Sequence, residues 1–362
     1  MKALLVLRPD AGARPDGDLV HAERAGAAVR QFGVQVDVVA SDAPDARGYD
    51  LAHVFGVFEP DVARRQLEAL RVQSVPIVLS PIWLDLRAYA AIAPRVEHAL
   101  AARSPAAVET RLARLRREAE MLPWTGRAVR AANRRLAVQR AAIALADILL
   151  PASEVEAYLY GERLGLTAMP FVVAPLGVDD DAFDIQRPAQ RNGVLCAGRV
   201  ESKKNQAALL YALRDVDVDV TIVGTAYDPV YLALCKRYAT PRTRFVDHAP
   251  RERVLAMMAR AAVHAHPSWL ESPGLSSLEA AATGTRIVAG DRGCEREYFG
   301  SDVDYADPAE PATIRRAVLR AFERGERERG DALERRLGSR TWQRHGEATV
   351  DAYYRAVVHR RR

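Results

Sequence analysis

The amino-acid sequence predicts an α/β protein with two doubly wound domains, each built on a parallel β-sheet. Three observations support this fold class: short apolar runs alternate with helical segments, the alternation restarts near residue 194, and 362 residues are comfortable for two hydrophobic cores. Open parallel sheets bind ligands beyond the carboxyl ends of their strands. We therefore expect two Rossmann-like domains that face each other across a cleft, with the site in that cleft.

The first half of the chain begins with a buried strand. Apolar runs predict strands at residues 3–7, 34–39, 51–54, 75–79, 148–150 and 171–174. Helical spacing of apolar residues predicts helices at 19–32 and 60–70, and Ser153 is placed to cap another. These elements make up a predicted first domain of residues 1–176.

The second half repeats the pattern. Strands are predicted at residues 194–196, 218–223, 243–246, 263–265 and 286–289, with helices at 205–213, 227–238, 251–260, 276–283 and 314–322. A polar segment at 177–192 marks the boundary, so the second domain is predicted at 177–340. Residues 341–358 have the apolar spacing of a terminal helix.

Composition excludes several classes of protein. The net charge is +5, and the apolar runs are too short to span a bilayer. The amino terminus lacks the features of a signal peptide, and the three cysteines have no metal-ligand spacing. We therefore expect a reduced, cytoplasmic protein, and the mild positive balance alone does not indicate nucleic acid.

One stretch is strongly basic. Between Arg103 and Arg140 the chain has ten arginines against three acidic residues, in a pattern that predicts two helices broken at Pro123. One interpretation is a solvated basic face; the other is peripheral contact with an anionic membrane or a phosphorylated acceptor. The aromatic interleaving of nucleic-acid platforms is absent, so we expect no nucleic-acid partner.

The most informative segment is HPSWLESPGLSSLEAAATGTRIV, residues 266–288. It places Glu271 and Glu279 eight residues apart, with a loop containing Pro273 and Gly274 that leads into an Ala-rich helix. Free N–H groups at a helix start attract an anion, whereas carboxylates suit hydroxyls or a developing cation. The combination predicts a nucleotide-sugar site.

Each glutamate also has a simpler interpretation. Ser276 and Glu279 match a capping box, in which Glu279 would only satisfy the Ser276 N–H. Glu271 would then be an ordinary acidic residue of a surface loop.

In a second segment, VLCAGRVESKKNQ at residues 194–206, the end of a predicted strand is followed by an arginine and by lysines. Arg199 follows the strand directly, and Lys204 precedes the next helix. Only four lysines occur in the chain, and two of them are here. An arginine fork beside a lysine suits a diphosphate, although a solvated basic loop is the alternative.

With these motifs the chain resembles the retaining GT-B glycosyltransferases of family 4, the glycosyl transferases group 1. The resemblance rests on AGRVESKKN at 197–205, ESPGLSSLE at 271–279 and EREYFG at 295–300, and it extends over nearly the whole chain. A weaker likeness over residues 17–86 indicates a bacterial subgroup linked to surface polysaccharides. The resemblance also implies that the terminal segment, 341–362, packs back on the first domain.

The resemblance implies roles for the phosphate-binding groups. Arg199 and Lys204 would hold the donor diphosphate and stabilise it as it leaves. Donor binding would also involve the helix start at Gly274, Leu275 and Ser276. From the first domain, the loop at 12–17 with Gly17 would approach the phosphates.

The resemblance also implies roles for the carboxylates. Glu279 would bind the ribose hydroxyls, and Glu271 would contact the donor sugar near its reacting face. We expect no metal and no cofactor, since cations and a helix start replace a metal. The aspartates at 179–181 are interpreted as turn residues rather than metal ligands.

The implied activity is retaining, metal-independent transfer of a sugar from a nucleotide-diphosphate sugar, such as a UDP- or GDP-sugar. The acceptor would be a glycan or a lipid-linked molecule in cell-envelope polysaccharide synthesis, at the inner face of the membrane. Two alternatives remain: a sugar-phosphate synthase or phosphorylase with a small acceptor, and an inactive sugar-nucleotide-binding relative. A dehydrogenase is disfavoured because GxGxxG is absent after the first strand.

Two departures from the family pattern concern the donor sugar. Many relatives carry a histidine after the strand at 75–79, where this chain has Ser80, Trp83 and Asp85. Pro273 also stands where phenylalanine is more frequent. Both departures leave the identity of the donor sugar open.

Overall fold

The computed structural model describes residues 1–13, 17–118, 127–324 and 331–361, and it divides into two compact units. Unit 1 comprises Met1–Asp85, Ala131–Gly177 and Ser339–Arg362, and unit 2 comprises Leu86–Arg130 and Val178–Gly338. Each unit contains one parallel sheet with helices. The predicted class, α/β with two Rossmann-like domains, is confirmed.

The sheet of unit 1 has five parallel strands in the order β2-β1-β3-β4-β5. They are β1 (Lys2–Leu7), β2 (Gln35–Ala40), β3 (Leu51–Phe55), β4 (Ile77–Ser80) and β5 (Ile148–Leu149). The helices with most or all of their residues in this unit are α1 (Gly17–Arg30), α2 (Pro60–Val72), α5 (Arg127–Ile143), α6 (Glu154–Leu164) and α14 (Trp342–Arg361). Strands β3 and β4 are buried throughout, as expected for a parallel sheet covered on both faces. The strand predicted at 171–174 is reduced to a single bridge between Leu149 and Phe171.

The sheet of unit 2 has six parallel strands in the order β11-β10-β9-β6-β7-β8. They are β6 (Val194–Ala197), β7 (Val220–Val223), β8 (Thr243–Val246), β9 (Val263–His266), β10 (Arg286–Gly290) and β11 (Asp304–Ala306). The helices are α3 (Arg87–Leu100), α4 (Pro105–Glu118), α7 (Gln206–Leu213), α8 (Pro229–Arg237), α9 (Arg251–Arg260), α10 (Leu275–Ala282), α11 (Glu295–Phe299), α12 (Pro311–Glu323) and α13 (Asp331–Gly338).

The segment 86–130 lies in unit 2, although the sequence-based boundaries place it in the first domain. Its helices α3 and α4 bury Val96, Leu100 and Leu112 in the same apolar core as Leu209 of α7. The apolar face of this segment therefore packs into the core of unit 2, where α3 contacts α7. A strand-and-helix pattern alone does not reveal that choice.

Helix α14 returns to unit 1 and packs on α1. Ala352, Tyr353 and Ala356 are buried in one cluster with Ala25 of α1 and Leu5 of β1. The approach of the two helices is close, because a Cβ placed on Gly346 would lie 2.9 Å from the Cβ of Ala28. The terminal segment is thus part of the core of unit 1.

The basic stretch forms α4 and α5, and the predicted break at Pro123 lies outside the described residues. On α4 the arginines at 111, 114, 116 and 117 are exposed, whereas Val108, Leu112 and Leu115 are buried. Within the described ranges, no helix combines the length and apolarity needed to cross a bilayer.

Candidate functional site

The site begins at the carboxyl end of β6, where two glycines bring neighbouring loops together. Gly198 follows β6 with φ +148°, and Gly224 follows β7 with φ +143°. A Cβ on Gly224 would lie 2.1 Å from the Gly198 carbonyl oxygen, so only glycine fits there. This contact fixes the backbone from which Arg199 projects.

Arg199 and Lys204 lie on the loop between β6 and α7. Arg199 Nη2 donates to Glu201 Oε1 at 3.1 Å, and Gln206 Nε2 donates to the Arg199 carbonyl at 2.7 Å. Lys204 ends a short 3₁₀ turn, and Asn205 follows it in the left-handed region with φ +62°. The Asn205 amide donates to the carbonyls of Pro267 (3.1 Å) and Pro308 (2.9 Å), which anchors this loop to the loops after β9 and β11.

A buried ion pair joins the two sequence motifs. Lys204 Nζ donates to Glu271 Oε1 at 2.6 Å, and the two side chains are only 13% and 9% exposed. Burial by itself raises the pKa of Glu271, but the charge of Lys204 outweighs burial and holds that pKa below its usual range. Burial likewise lowers the pKa of Lys204, and Glu271 more than reverses that effect. Both groups are therefore charged at neutral pH.

The backbone of Glu271 is held from the other side by the loop after β10. Glu271 forms a parallel bridge with Gly293, and the Cys294 N–H donates to the Glu271 carbonyl at 3.2 Å. Gly293 has φ +122°, and a Cβ there would lie 2.4 Å from the Glu271 carbonyl oxygen. The carboxylate of Glu271 is thus fixed from both its main chain and its ion pair.

His266, the last residue of β9, lies between this ion pair and the start of α10. Its Nδ1 is 3.4 Å from the hydroxyls of Ser276 and Ser277, and its Nε2 is 3.7 Å from Glu271 Oε1. Burial and the nearby Lys204 lower the pKa of His266 well below the usual value, so the imidazole is neutral. A Cβ on Gly274 would meet His266 Nδ1 at 3.5 Å and Glu271 Cδ at 3.6 Å.

Helix α10 begins at Leu275, with Gly274 as its N-cap and without a side-chain cap. Ser276 is therefore inside the first turn, and the capping box that would pair it with Glu279 is not formed. The N–H groups of this first turn lie next to the Glu271–Lys204 pair through Gly274. An anion at this place would meet a helix start together with a buried lysine.

Glu279 instead pairs with Arg251, the first residue of α9. Arg251 Nε donates to Glu279 Oε1 at 2.7 Å, and the same guanidinium contacts Asp181 at 2.5 Å and Asp179 at 3.1 Å. Burial raises the pKa of Glu279, and Arg251 offsets part of that rise. Two of the three consecutive aspartates thus neutralise an arginine. In the parts of the chain that the structure covers, no group of three or more His, Cys, Asp or Glu is arranged to hold a metal ion.

These residues lie in a segment that is similar to a known protein family. The model of the family described as "Glycosyl transferases group 1" matches residues 178–335, which include all of the contacts described above. The D-inositol 3-phosphate glycosyltransferase of Xylanimonas cellulosilytica is 32% identical to this chain over 251 residues, which are 60% of this chain and 59% of that protein. The chain thus spans less than two thirds of that curated relative.

Solved structures show the same fold. The sucrose-phosphate synthase of Thermosynechococcus elongatus matches with a TM-score of 0.73 and 17% identity over 98% of both chains. Anabaena HepE, solved in complex with UDP and glucose, matches with a TM-score of 0.67 and 15% identity over 97% of this chain and 99% of that one. The likeness is one of fold: this chain has two units, each with a parallel β-sheet and helices, and the match covers nearly all of both chains.

The structure brings together some of the predicted site residues of the group 1 family. Lys204 and Glu271 are in contact, Gly274 lies beside Glu271, and Leu275 and Ser276 begin the adjoining helix. Other predicted site residues lie apart from this contact: Glu279 pairs with Arg251, and Gly17 is the first residue of α1 in unit 1. The loop predicted to approach the phosphates includes residues 14–16, which lie outside the described residues. The roles of all these residues in binding stay predictions.

Sequence reasoning missed three residues. The sequence interpretation gave no role to His266 at the start of the segment 266–288, to Arg251 at the start of a predicted helix, or to Glu295 in the EREYFG motif. Glu295 is 3% exposed next to Gly293, and burial together with the charge of Glu271 raises its pKa well above the usual value. His266 had a sequence signal, because it ends a strand directly before the motif. Arg251 and Glu295 have no such signal in the sequence. Only the contacts of the folded chain, with Glu279 and beside Gly293, reveal them.

In unit 1, His53 is a core residue. Its Nδ1 bonds the Tyr353 hydroxyl and its Nε2 the Ser80 hydroxyl, both at 2.9 Å. Ser80, the last residue of β4, is therefore engaged with the core histidine.

Proposed function

We propose that the protein is a glycosyltransferase that moves a sugar from a nucleotide-diphosphate sugar to a hydroxyl of a glycan or lipid-linked acceptor. The observation that carries the proposal is the buried Lys204–Glu271 pair beside the start of α10. A lysine, an arginine and helix N–H groups at one edge of a parallel sheet suit a diphosphate. A neighbouring carboxylate that stays ionised suits sugar hydroxyls.

The proposed reaction exchanges one bond at the anomeric carbon. The bond from that carbon to the diphosphate oxygen breaks, and a bond to the acceptor oxygen forms on the same face. The acceptor proton passes to a leaving diphosphate oxygen, because Glu271 is occupied by Lys204 and is a weak base. Retention is tested by following the anomeric configuration of the product with NMR.

Charge stabilisation is the main contribution that this site would make. As the diphosphate leaves, negative charge grows where Arg199, Lys204 and the N–H groups of the first turn of α10 lie. One preorganised donor of this type is worth about 3 kcal/mol. These groups would serve in place of a metal ion, and the proposal therefore expects turnover to persist in a chelator.

The donor is identified by thermal shift with UDP-, GDP-, ADP- and TDP-sugars. We expect one nucleotide to raise the melting temperature at millimolar concentration, since a ligand that binds only the folded state stabilises it. HepE, whose structure holds UDP and glucose, makes UDP-glucose the first donor to test. Stabilisation by none of them would refute the proposed activity and favour an inactive relative.

Lys204→Ala should lower kcat by roughly 100- to 1000-fold while the protein still folds. The matched control is Lys236→Ala, which removes an exposed lysine at the end of α8. Turnover is measured with the donor found above, and folding by circular dichroism. Wild-type turnover in Lys204→Ala would contradict the proposal.

A second candidate, transfer to a small phosphorylated acceptor, is favoured by one residue of unit 1. The Arg135 guanidinium lies over the Phe58 ring at 4.4 Å, just past the carboxyl end of β3. Its Nε and Nη2 are buried and have no hydrogen-bond partner among the residues that the structure describes. Burial lowers the pKa of Arg135, with Glu59 and Asp61 offsetting part of the effect. An anionic group would satisfy these donors.

The two candidates are separated by an acceptor assay. Glucose 6-phosphate, fructose 6-phosphate and inositol 3-phosphate are compared with the free sugars, in wild type, Arg135→Met and the exposed control Arg134→Met. If the acceptor is phosphorylated, only Arg135→Met raises KM, and only for phosphorylated acceptors. No transfer to any of these acceptors would favour the glycan or lipid-linked acceptor.

For a lipid-linked acceptor in envelope synthesis, we propose peripheral contact with anionic lipid at the inner face of the membrane. The exposed arginines of α4 support this proposal. Vesicles of phosphatidylglycerol should sediment the protein, and vesicles of phosphatidylcholine should not. Replacing Arg111 and Arg117 together by serine should reduce sedimentation with the anionic vesicles.

A further inference from the structure

Arg251 is the centre of a cluster that the site motifs did not predict. Its three guanidinium nitrogens are divided among carboxylates from two elements. Nε contacts Glu279 of α10 at 2.7 Å, while Nη1 and Nη2 contact Asp181 of the crossover segment at 2.5 and 3.0 Å. Asp179 lies 3.1 Å from Nη2. Each of the three guanidinium nitrogens of Arg251 therefore contacts at least one carboxylate oxygen.

The cluster has more negative than positive charge. Three carboxylates surround one guanidinium, and the Glu279 side chain is 23% exposed. Arg251 Nε donates to Glu279 Oε1, and a carboxylate can accept more than one hydrogen bond, so Glu279 can also accept from a ligand. A vicinal diol, which offers two hydroxyl donors, is the ligand chemistry that fits it.

The planar guanidinium of Arg251 explains how the Glu279 carboxylate is oriented. A planar guanidinium that is already fixed by Asp179 and Asp181 has one remaining edge, and that edge holds Glu279. A lysine could not hold three carboxylates in a defined plane. Glu279 therefore owes both its charge and its direction to a residue of another βα unit.

We propose that Arg251 is a positioning residue that keeps Glu279 ionised and directed at the ribose 2′,3′-diol of the donor nucleotide. This inference rests on the proposed function. It predicts a site selective for ribonucleoside over 2′-deoxyribonucleoside diphosphates. It also makes Arg251, rather than the Glu-x7-Glu spacing alone, the source of that selectivity.

The pH dependence follows from the charges that face Glu279, which are Arg251, Asp179 and Asp181. Diol binding requires the carboxylate, so affinity should fall as the pH decreases toward the pKa of Glu279. Burial holds that pKa above its usual value. Removing the cation would raise it further, so the fall in affinity would move to higher pH.

The test is calorimetric titration of UDP and 2′-deoxy-UDP, and of GDP and 2′-deoxy-GDP, between pH 5 and 8. The proteins are wild type, Arg251→Met, Arg251→Lys, Glu279→Gln and the control Arg253→Met, which changes an exposed arginine of the same helix. A hydrogen bond to a charged group is worth about 1.5–3 kcal/mol, or roughly ten- to a hundredfold in affinity.

We expect Arg251→Met to weaken ribonucleotide binding by that factor, with little effect on the deoxyribonucleotide, and to shift the pH midpoint upward. Arg251→Lys should recover part of both effects, Glu279→Gln should lose the pH dependence, and Arg253→Met should match wild type. If Arg251→Met loses the same affinity for ribonucleotide and deoxyribonucleotide and its pH midpoint does not move, the positioning role of Arg251 is refuted, while the proposed function is not. A wild type that binds none of the four nucleotides would instead refute the proposed function itself, and this inference with it.

Discussion

At the residue scale, the pairing of Lys204 with Glu271 decides what each side chain can do. A lysine alone at the end of β6 would be an ordinary phosphate-binding cation, and a glutamate alone after β9 a loop acid. Their contact at 2.6 Å fixes both charges in a buried place. Since the remaining two Nζ protons are available in other directions, the lysine can bind an anion without releasing Glu271.

Glu295 provides a test of the electrostatics around this pair. Its pKa is raised, so the folded protein keeps a proton that the unfolded chain loses near pH 4.5. The folded state then binds more protons, and its stability should decrease as the pH rises above 4.5. Glu295→Gln, which has the same shape and no titration, should remove this slope and be more stable than wild type at pH 8.

The measurement is the free energy of unfolding in urea at pH 5, 6.5 and 8. Glu252→Gln, at an exposed position on α9, is the control. Parallel pH slopes in wild type and Glu295→Gln would show that Glu295 is ionised in the folded protein.

The sequence predicted residue types better than residue partners. Arg199, Lys204, Glu271 and Glu279 were singled out from spacing, since loops after strands place side chains at one sheet edge. The contact of Lys204 with Glu271 spans 67 positions, and that of Arg251 with Glu279 spans 28. Such partners depend on strand order, which local periodicity does not determine.

At the element scale, the loops after β6 and β7 meet at Gly198 and Gly224. Gly224→Ala would put a Cβ 2.1 Å from the Gly198 carbonyl oxygen, at a φ of +143°. We expect a loss of at least about 2 kcal/mol in stability, because the backbone must move. Because Arg199 follows Gly198, donor affinity should also decrease.

Thermal melting and donor titration check this expectation. The control is Gly338→Ala at the end of α13, where a new Cβ meets nothing within 4 Å and the change in stability should stay within about 1 kcal/mol. An unchanged melting temperature in Gly224→Ala would show that the loops separate easily.

Strands were easier to predict than the placement of helices. The β6, β8 and β9 runs are short, apolar and bounded by polar residues, so the predicted and observed bounds agree to within one residue at either end. Helices α3 and α4 have equally clear amphipathic faces, but a face does not specify its sheet. Their assignment to unit 2 required the contacts of Val96 and Leu112 with the second core.

At the scale of the whole molecule, both cores contain neutral histidines. Among the residues whose burial the structure describes, the buried histidines are His21, His53 and His345 in unit 1, and His264 and His266 in unit 2. Burial lowers the pKa of His345 to about 4 and that of His264 to about 3. In the unfolded chain they gain a proton near pH 6.5, so stability should fall as the pH decreases from about 6.5 toward these values.

One such histidine with a folded pKa near 4 costs about 2 kcal/mol at pH 5. The free energy of unfolding in urea should therefore decrease less between pH 7.5 and pH 5 in His345→Gln than in wild type. His248→Gln, at an exposed site, should keep the wild-type difference. Identical differences in all three proteins would show that His345 is not a source of the acid sensitivity.

The two units differ in how far they resemble known proteins. The family model covers 178–335, whereas the likeness in fold to sucrose-phosphate synthase covers 98% of the chain. The motifs proposed to bind phosphate lie in unit 2, where backbone approach and charge restrict the residue types. Unit 1 lies outside the family match, so the acceptor is the less predictable substrate of the proposed reaction.

The return of α14 to unit 1 sets the order in which the chain can fold during synthesis. Residues 178–338 leave the ribosome before Trp342–Arg361, so most of unit 2 can form its core while unit 1 still lacks its last helix. Until then the α1 face that includes Ala25 and Ala28 is open to water and to chaperones. In chains truncated before residue 342, unit 2 should accordingly resist protease better than unit 1. In the full chain the two units should resist protease more equally.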